Sequence, residues 1–342
     1  MTGRDNLVRT IEHSGSAYMP IHIEFGAAHQ REKDSAKVAR ICELQAQIPR
    51  DLMILNPDYI HLSPPTAANG ITRWRDHWGT GWSDDGNGAK TDFHPLECGY
   101  DALREYAFPD PHGAGLFATA NAHLAQRGDR YALGAVWFTL FERLWMLRGF
   151  DNMLVDPFVE PDAFADLRDR IVEFDLAIID QWITRKVNGI YFSDDWGSQQ
   201  GLLIAPEDWR RFYKPSYARL FQRIREGGAH VWMHLCGNIV AILPDLIEIG
   251  LNVLNPIQPR AMSIEELARD FGGKVCFFGG ADVQGTLVYG TPQDVKEQAG
   301  LLVRNLRGPQ GGYIASTSHG FMPETPLDNV IALHEAFISL RQ

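Results

Sequence analysis

Residues 231–238 read Val-Trp-Met-His-Leu-Cys-Gly-Asn, an apolar run that ends at a glycine. Short apolar runs bounded by glycine or proline are typical of buried strands in a parallel sheet. Side chains two residues apart on a strand point to the same face, so the imidazole of His234 and the thiol of Cys236 are expected to converge. Thiolate and imidazole are ligands that zinc prefers. The stretch therefore predicts a strand that ends in part of a zinc site.

The same alternation of apolar run and amphipathic helix extends over most of the chain. Helix start signals at Ser35, Ser263 and Thr291 separate several of the runs. Eight parallel strands with intervening helices predict a single (β/α)8 TIM barrel over residues 1–342, with its active site at the carboxyl ends of the strands. A doubly wound open sheet is the alternative, but no G-x-G-x-x-G follows an early strand. The predicted strands are residues 19–25, 58–62, 131–138, 189–193, 229–234, 253–256, 274–279 and 312–317.

Residues 63–111 depart from this alternation and are predicted to be an insertion after the second strand. They hold Trp74, Trp78 and Trp82 among glycine, aspartate, asparagine and histidine residues. Insertions at this end of a barrel strand often cover the active site, so the tryptophans are candidates for stacking on a substrate. The alternative, that they anchor an irregular loop to the barrel, is favoured about two to one.

Composition excludes several classes of function. The 342 residues carry a net charge of −11 without a cluster of lysine and arginine, so a nucleic-acid partner is not expected. The N-terminus has no apolar core of signal-peptide length, and no run approaches the roughly 20 apolar residues of a membrane span. We therefore expect a cytoplasmic protein. Its four cysteines lack regular spacing and predict free thiols, not a disulfide framework.

Polar residues follow three of the predicted strands. His319 follows the eighth strand, and with His234 and Cys236 it would leave one tetrahedral position of zinc open, as in catalytic sites. Asp194 and Asp195 follow the fourth strand. Because successive residues of a strand alternate in direction, only one of the two is expected to face the barrel mouth, while the other caps a helix or binds loop amides. Four further candidates beyond strand ends are Glu142, Asn255, Gln258 and Asp282.

Four motifs in sequence order resemble the uroporphyrinogen decarboxylase superfamily: MHLCGN, NPIQP, CFFGGADVQGTLVYGTPQDVKEQ and STSHGFMPETPLDNVIALHEA. The resemblance covers most of the chain and is strongest from Asp194 onward. It implies a (β/α)8 barrel, in agreement with the strand count. It also implies one of two chemistries: cofactor-free decarboxylation of uroporphyrinogen, or zinc-dependent methyl transfer between a corrinoid protein and a thiol or tetrahydrofolate.

The motifs favour the methyltransferase branch. Decarboxylases of the superfamily carry an R-Q-A-G-R-Y segment whose arginines bind the substrate's carboxylates, whereas residues 23–30 here read IEFGAAHQ. A substrate with many carboxylates needs cations, so their absence argues against uroporphyrinogen. Methyltransferases carry H-x-C on strand five and a second cysteine before a glycine near strand eight. This chain keeps His234 and Cys236 but has His319 at that third position, where His319-Gly320 also resembles the decarboxylase H-G.

The resemblance thus implies a methyltransferase that holds zinc through His234, Cys236 and His319, because zinc accepts imidazole in place of thiolate. Methylcobalamin would arrive on a partner corrinoid protein, since the chain leaves no room for a cobalamin domain of its own. Asp195 or Glu142 would complete the zinc sphere or orient the acceptor, with His319 also in a catalytic role. The residues expected to bind substrate are Asp194, Asn255, Gln258 and Asp282.

Two other functions remain open from the sequence. One is a metal-free decarboxylase acting on a carboxylated compound, in which His319 and an aspartate place the substrate and Arg73, Arg75 and Arg143 are candidates for binding carboxylates. The other is a barrel that binds a corrinoid protein or a small ligand without turnover. A thiol facing an open cavity has a redox liability and little structural use, which weighs against this last function.

Overall fold

The computed structural model describes residues 1–23 and 34–342, and strands and helices alternate along most of this length. We number the elements of the described residues in chain order. The strands are β1 (Leu52–Leu55), β2 (Ser63–Ala68), β3 (Ile71–Arg75), β4 (Gly81–Asp84), β5 (Ala89–Phe93), β6 (Tyr131–Val136), β7 (Gly189–Ser193), β8 (His230–His234), β9 (Val253–Ile257), β10 (Cys276–Ala281) and β11 (Tyr313–Thr317). The fold class is therefore α/β.

Helices follow most strands of the larger sheet and cover its outer face. A 3₁₀ helix spans Tyr100–Arg104. The α-helices are α1 (Gly3–Ile11), α2 (Ser35–Gln47), α3 (Ala118–Ala125), α4 (Leu140–Arg148), α5 (Phe150–Val159), α6 (Pro161–Thr184), α7 (Pro206–Phe212), α8 (Lys214–Glu226), α9 (Leu243–Ile249), α10 (Ile264–Phe271), α11 (Thr286–Tyr289), α12 (Pro292–Leu306) and α13 (Leu327–Ser339). Within the described residues, no helix is long and apolar enough to span a membrane.

Helix starts follow the capping signals in the sequence, with one correction. The Ser263 hydroxyl accepts a hydrogen bond from the amide of Glu266, and the Thr291 hydroxyl accepts one from the amide of Asp294. Both residues cap their helices as predicted. Helix α2 instead begins at Ser35 itself, and the carboxylate of Asp34 caps it because an ionised acceptor at this position also opposes the helix dipole.

Seven strands form a curled parallel sheet in the order β1-β6-β7-β8-β9-β10-β11. One set of alternating side chains on these strands points inward and packs into a single cluster, which reaches from Leu52 on β1 to Ile314 on β11. Helix α1 contributes Leu7 and Ile11 to this cluster and contacts both β1 and β11, the two ends of the strand order, which a single short helix could not do across a flat seven-stranded sheet. The curl therefore brings the carboxyl ends of the strands toward one another.

The predicted strands of the larger sheet agree with the structure in all but one described case. Residues 58–62 form no strand. The strand that lies beside β6 in the sheet is instead β1 at Leu52–Leu55. The predicted strand at 19–25 lies partly outside the described residues. In its described part, Ile21 makes a parallel bridge to Ala315 and so lies along the free edge of β11.

The segment between β1 and β6 contains a second sheet. Strands β2 to β5 pair in sequence order as an antiparallel four-stranded sheet, within the residues that the sequence predicted to be an insertion. Trp74 on β3 lies opposite Trp82 on β4, with their rings within 5° of parallel and their centroids 6.1 Å apart. Cross-strand aromatic pairs of this kind stabilise an antiparallel sheet.

Candidate metal centre at the carboxyl end of the parallel sheet

Three side chains with metal-binding atoms meet at the carboxyl end of the sheet. The Sγ of Cys236 lies 3.3 Å from Nε2 of His234 and 3.2 Å from Nε2 of His319. All three ligand atoms lie within 4.8 Å of one another. The two imidazole rings are nearly perpendicular, with centroids 5.2 Å apart. The sequence prediction that these three residues converge agrees with this placement.

The inward face of β8 explains how His234 reaches this position. Trp232 belongs to the inward cluster, and His234 lies two residues further along the same face. Nδ1 of His234 is 2.7 Å from Oδ1 of Asn255, whose Nδ2 donates to the carbonyl of Phe278 at 3.1 Å. Because Nδ2 is committed to that carbonyl, Oδ1 must be the atom that faces the ring. His234 therefore carries its proton on Nδ1 and directs the lone pair of Nε2 at Cys236.

This hydrogen bond has a second participant that the sequence analysis missed. The hydroxyl of Tyr191 on β7 donates to the same Oδ1 of Asn255 at 2.5 Å and lies 3.4 Å from Nδ1 of His234. A signal for Tyr191 was present, because it lies two residues before Ser193 on the inward face of a neighbouring strand. Partners of this kind fix the orientation of metal-binding histidines.

The three donors fit a tetrahedral zinc ion. Zn–S bonds of about 2.3 Å and Zn–N bonds of about 2.0–2.1 Å at tetrahedral angles place sulfur and nitrogen about 3.5 Å apart. The distances here, 3.3 and 3.2 Å, are within a few tenths of an ångström of that value. Without an ion, burial raises the pKa of the Cys236 thiol, and burial followed by the proximity of His234 lowers the pKa of His319 to about 4. The thiol of Cys236 and the imidazole of His319 are then uncharged at neutral pH, and a cation would favour the thiolate.

Asp194 and Asp195 turn in opposite directions, as strand alternation predicts. Asp194 is fully buried, and its carboxylate accepts hydrogen bonds from the amides of Phe141 and Glu142 at 2.9 and 2.7 Å. The hydroxyl of Tyr217 also donates to it. Asp194 therefore caps helix α4, and its contact with a substrate, which the sequence led us to expect, stays a prediction. Burial raises its pKa to about 7 despite these bonds.

Among the described residues, Asp195 and Glu142 are carboxyl groups close enough to act on the donors electrostatically. Oδ1 of Asp195 accepts from the amide of Cys236 at 2.9 Å and lies 4.0 Å from Nε2 of His234, and the side chain is 39% exposed. Glu142 is buried in the first turn of α4, where its Oε2 accepts from the Ser193 hydroxyl at 2.9 Å. Burial, followed by the proximity of Asp195 and Asp194, raises the pKa of Glu142 well above its usual value.

The loop after Cys236 is held by a close backbone contact. Gly237 has a φ of +81°, and a Cβ at this position would lie 2.2 Å from the carbonyl carbon of Gly197. The amide of Gly197 in turn donates to the carbonyl of Cys236 at 3.1 Å. Only glycine fits both the backbone conformation and the space, so this contact fixes the position of Cys236 against the end of β7.

Comparison with known proteins identifies the family. The family model for uroporphyrinogen decarboxylase (URO-D) matches residues 103–339, which is more than half of the chain. The chain belongs to the uroporphyrinogen decarboxylase family. The matched region contains β6 to β11 and with them all three candidate metal donors.

Curated relatives match the chain over part of their length. A uroporphyrinogen decarboxylase of Thermus thermophilus is 31% identical over 135 residues, which cover 37% of this chain and 35% of that protein. One from Geobacter sulfurreducens is 23% identical over 224 residues, which cover 64% and 62%. The chain thus spans less than two thirds of these relatives' own length. A solved methyltransferase from Methanosarcina mazei has the same fold, with a TM-score of 0.71, 16% identity and 99% of both chains covered.

The other residues predicted to bind substrate make hydrogen bonds to other groups of the protein. Asn255 lies buried behind His234. Oε1 of Gln258, also buried, accepts from the amide of Gly237 at 2.5 Å. The carboxylate of Asp282 binds Arg260 at 3.0 Å and accepts from amides at the start of α11. We therefore find these three side chains positioning other groups, while their contact with a substrate stays a prediction.

The three arginines expected to bind carboxylates in a decarboxylase have other partners. Arg143 is 2% exposed, and its Nη1 donates to Asp76 at 3.0 Å. Arg73 lies 3.6 Å from the carboxylate of Asp92, and Arg75 lies over the ring of Phe93. These three arginines therefore do not form a ring of free cations around the metal donors.

Proposed function

We propose that the protein is a zinc-dependent methyltransferase that moves a methyl group between a methylcorrinoid and a thiol or tetrahydrofolate acceptor. The observation that carries the proposal is the convergence of His234, Cys236 and His319, with Asn255 holding His234 in the tautomer that a metal requires. A decarboxylase that works without a metal has no need for a thiol among imidazoles. The engagement of Arg73, Arg75 and Arg143 elsewhere also argues against a polycarboxylate substrate.

A bound zinc ion would supply Lewis-acid chemistry at this site, keeping a thiol acceptor in its nucleophilic thiolate form at neutral pH. In the thiol case, the overall transfer breaks the cobalt–carbon bond of the methylcorrinoid and forms a sulfur–carbon bond. Both electrons of the broken bond stay on cobalt, and the thiol proton leaves the site. Three ligands from the protein leave one tetrahedral position for the acceptor.

The acidic residues have separate tasks in this proposal. Asp195 is the exposed carboxylate beside His234, and we assign it to orienting the acceptor and receiving its proton. Glu142 lies behind it as a buried group that shares a hydrogen bond with Ser193 and keeps the site from accumulating negative charge. His319 is assigned as the third ligand. The methylcorrinoid is expected on a partner protein, as the resemblance to corrinoid-dependent methyltransferases implies.

We also propose that the curled sheet closes into a (β/α)8 barrel, with the segment around Ile21 as its first strand. The parallel bridge of Ile21 to Ala315 and the inward cluster shared by β1 and β11 support closure. The antiparallel sheet of β2 to β5 is then part of an insertion at residues 63–111 in one barrel domain. In such a barrel the donors lie at the mouth from which all known active sites of the fold operate.

The test begins with metal content in protein purified without added zinc, measured by elemental analysis. We expect about one zinc per chain in the wild type and its loss in the His234→Ala, Cys236→Ala double variant. Cys42→Ala is the matched control, because it removes an exposed thiol on α2, a helix that carries none of the three donors. His319→Cys should retain zinc, since a second thiolate satisfies the same position.

Activity is tested with free methylcob(III)alamin and a small thiol, followed by the absorbance change of the corrinoid. The wild type should accelerate demethylation, and the double variant should not. Equal zinc content in the wild type and the double variant would refute the ligand assignment. Zinc bound as proposed, but with no methyl transfer to a thiol or to tetrahydrofolate, would refute the reaction and leave the metal centre standing.

A further inference from the structure

A cavity of ≈ 310 Å³ opens between the antiparallel sheet and the carboxyl end of the parallel sheet. Aromatic rings form much of its lining: Trp74 and Trp82 come from the antiparallel sheet, and Trp137 and Phe138 follow β6. The polar part of the lining includes the ion pair of Arg143 with Asp76. The volume lies at the lower end of the roughly 300–1,000 Å³ that ligand pockets span, so a small molecule of one or two rings is the appropriate size.

The cavity adjoins the candidate metal centre. The ring of Trp137 packs edge-on against Tyr191 with centroids 5.3 Å apart, and the Tyr191 hydroxyl lies 3.4 Å from Nδ1 of His234. Arg143 in the lining is the chain neighbour of Glu142. A ligand in the cavity would therefore lie one side chain away from the residues that hold the metal donors.

Two features indicate that the aromatic side chains lining the cavity are kept in place at a cost in stability. Trp137 and Phe138 are both more than a third exposed, although they sit beside a large buried core. Phe138 also has a φ of +53°, a backbone conformation that L-residues rarely adopt and that costs on the order of 1–3 kcal/mol. Strain of this kind is retained where the surrounding structure needs the side chain in one place.

The charges around the cavity restrict the ligand further. Aromatic faces attract both planar rings and quaternary ammonium ions. The Arg143 guanidinium contributes a buried positive charge to the lining, and burial lowers the pKa of nearby His77 well below its usual value, so His77 is neutral. Asp76 offsets the charge of Arg143, but its two oxygens already accept hydrogen bonds from the amides of Trp78 and Thr80, the indole of Trp82 and Arg143 itself. The buried Nε of Arg143, by contrast, has no acceptor among the described residues. The ion pair therefore offers a donor and no free acceptor, which favours a neutral or anionic ring over a cationic one.

We propose that this cavity binds a neutral or anionic planar aromatic compound, and that the ring belongs to the substrate of the metal centre. The second part rests on the proposed function, whereas binding of the ring does not. Trp74 and Trp82 would contact one side of the ring, and Trp137 and Phe138 would separate it from the metal donors. The antiparallel sheet then acts as the ring-binding wall of the site.

The test measures the binding of three probes by saturation-transfer NMR on the full chain. Benzoate is an anionic ring, cyclohexanecarboxylate has the same charge without aromaticity, and benzyltrimethylammonium is a cationic ring. We expect benzoate to bind about fivefold or more tightly than either of the others, as one aromatic contact predicts. Equal binding of the two carboxylates, or tighter binding of benzyltrimethylammonium, would overturn the proposal.

Variants locate the binding. Trp74→Ala removes a half-buried indole from the cavity and should weaken benzoate binding about tenfold. Trp145→Ala removes a half-buried indole on α4 that does not line the cavity, and it should leave the affinity unchanged. Equal affinity in Trp74→Ala and the wild type would refute the site.

The double variant His234→Ala, Cys236→Ala separates this proposal from the proposed function. It should still bind benzoate, because the ring contacts the cavity and not the donors. Loss of benzoate binding in the folded double variant would show that the ring lies on the donors and would overturn the cavity assignment. Retained binding without methyl transfer in the wild type would refute the reaction alone.

Discussion

Replacing Asn255 by alanine tests how the buried surroundings of His234 control zinc binding. The change removes the acceptor of His234 Nδ1 and of the Tyr191 hydroxyl, and the donor to the carbonyl of Phe278. Partners of this type are worth about 10–100-fold in metal affinity, or about 1.4–2.7 kcal/mol. Buried groups left without a partner cost about 1–3 kcal/mol each, so the free energy of unfolding should also fall by about 2–4 kcal/mol.

Zinc affinity is measured by competition with a chromophoric chelator, and folding is checked by circular dichroism in the same samples. Tyr191→Phe is the matched control. It removes one hydroxyl from the same acceptor but leaves the bond between Asn255 and His234, so its zinc affinity should stay much closer to the wild type. If folded Asn255→Ala binds zinc as tightly as the wild type, the tautomer of His234 is not set by Asn255 and the reasoning is refuted.

Three further predictions concern stability. Burial raises the pKa of Asp175 well above its usual value, so the folded protein binds this proton more tightly than the unfolded chain, and stability falls as pH rises between the two values. Asp175→Asn should therefore have a larger free energy of unfolding than the wild type at pH 7, as measured by urea titration. On acidification this difference should shrink by about 1.4 kcal/mol per pH unit between the pKa of Asp175 in the folded protein and its pKa in the unfolded chain. A difference that does not depend on pH would contradict this. Gly237→Ala should lower the melting temperature far more than Gly228→Ala, because both have positive φ but only the first places its Cβ 2.2 Å from facing backbone. Asp156→Ala should cost about 3–5 kcal/mol in unfolding free energy, since it leaves the buried Arg148 guanidinium without its bidentate partner, and a loss below about 1 kcal/mol would count against that account.

The parallel strands and the three donors were predictable because both follow from short-range rules. Continuous apolar runs identified the buried strands, including β7 at its observed bounds and β8 to within one residue. Alternation along a strand then placed His234 and Cys236 on a common side. Strand ends in a parallel sheet share one edge, which brought in His319 from 83 residues away. None of these steps needs knowledge of side-chain packing.

The sequence prediction failed where tertiary packing determines the local structure. Residues 58–62 alternate as a strand would, yet Ile60 and Leu62 are 78% and 67% exposed, and the apolar run of β1 pairs with β6 in their place. Strands β2 and β5 are mostly exposed and lack apolar alternation, so the antiparallel sheet left little signal in the sequence. The sequence assigned Asn255 to substrate binding because it lies at a strand end, and it missed the bond from Asn255 to His234, which depends on how β8 and β9 pair.

The antiparallel sheet of β2 to β5 is continuous in sequence and pairs only with itself among the described strands. The metal donors, by contrast, belong to β8, the residues after it and the loop after β11. If both proposals hold, the wall of the ring site formed by the antiparallel sheet and the metal donors reside on separate pieces of chain. Exchange of residues 63–93 between relatives would then alter that wall while preserving the donors, and a lineage could change its substrates largely through one contiguous stretch of its gene.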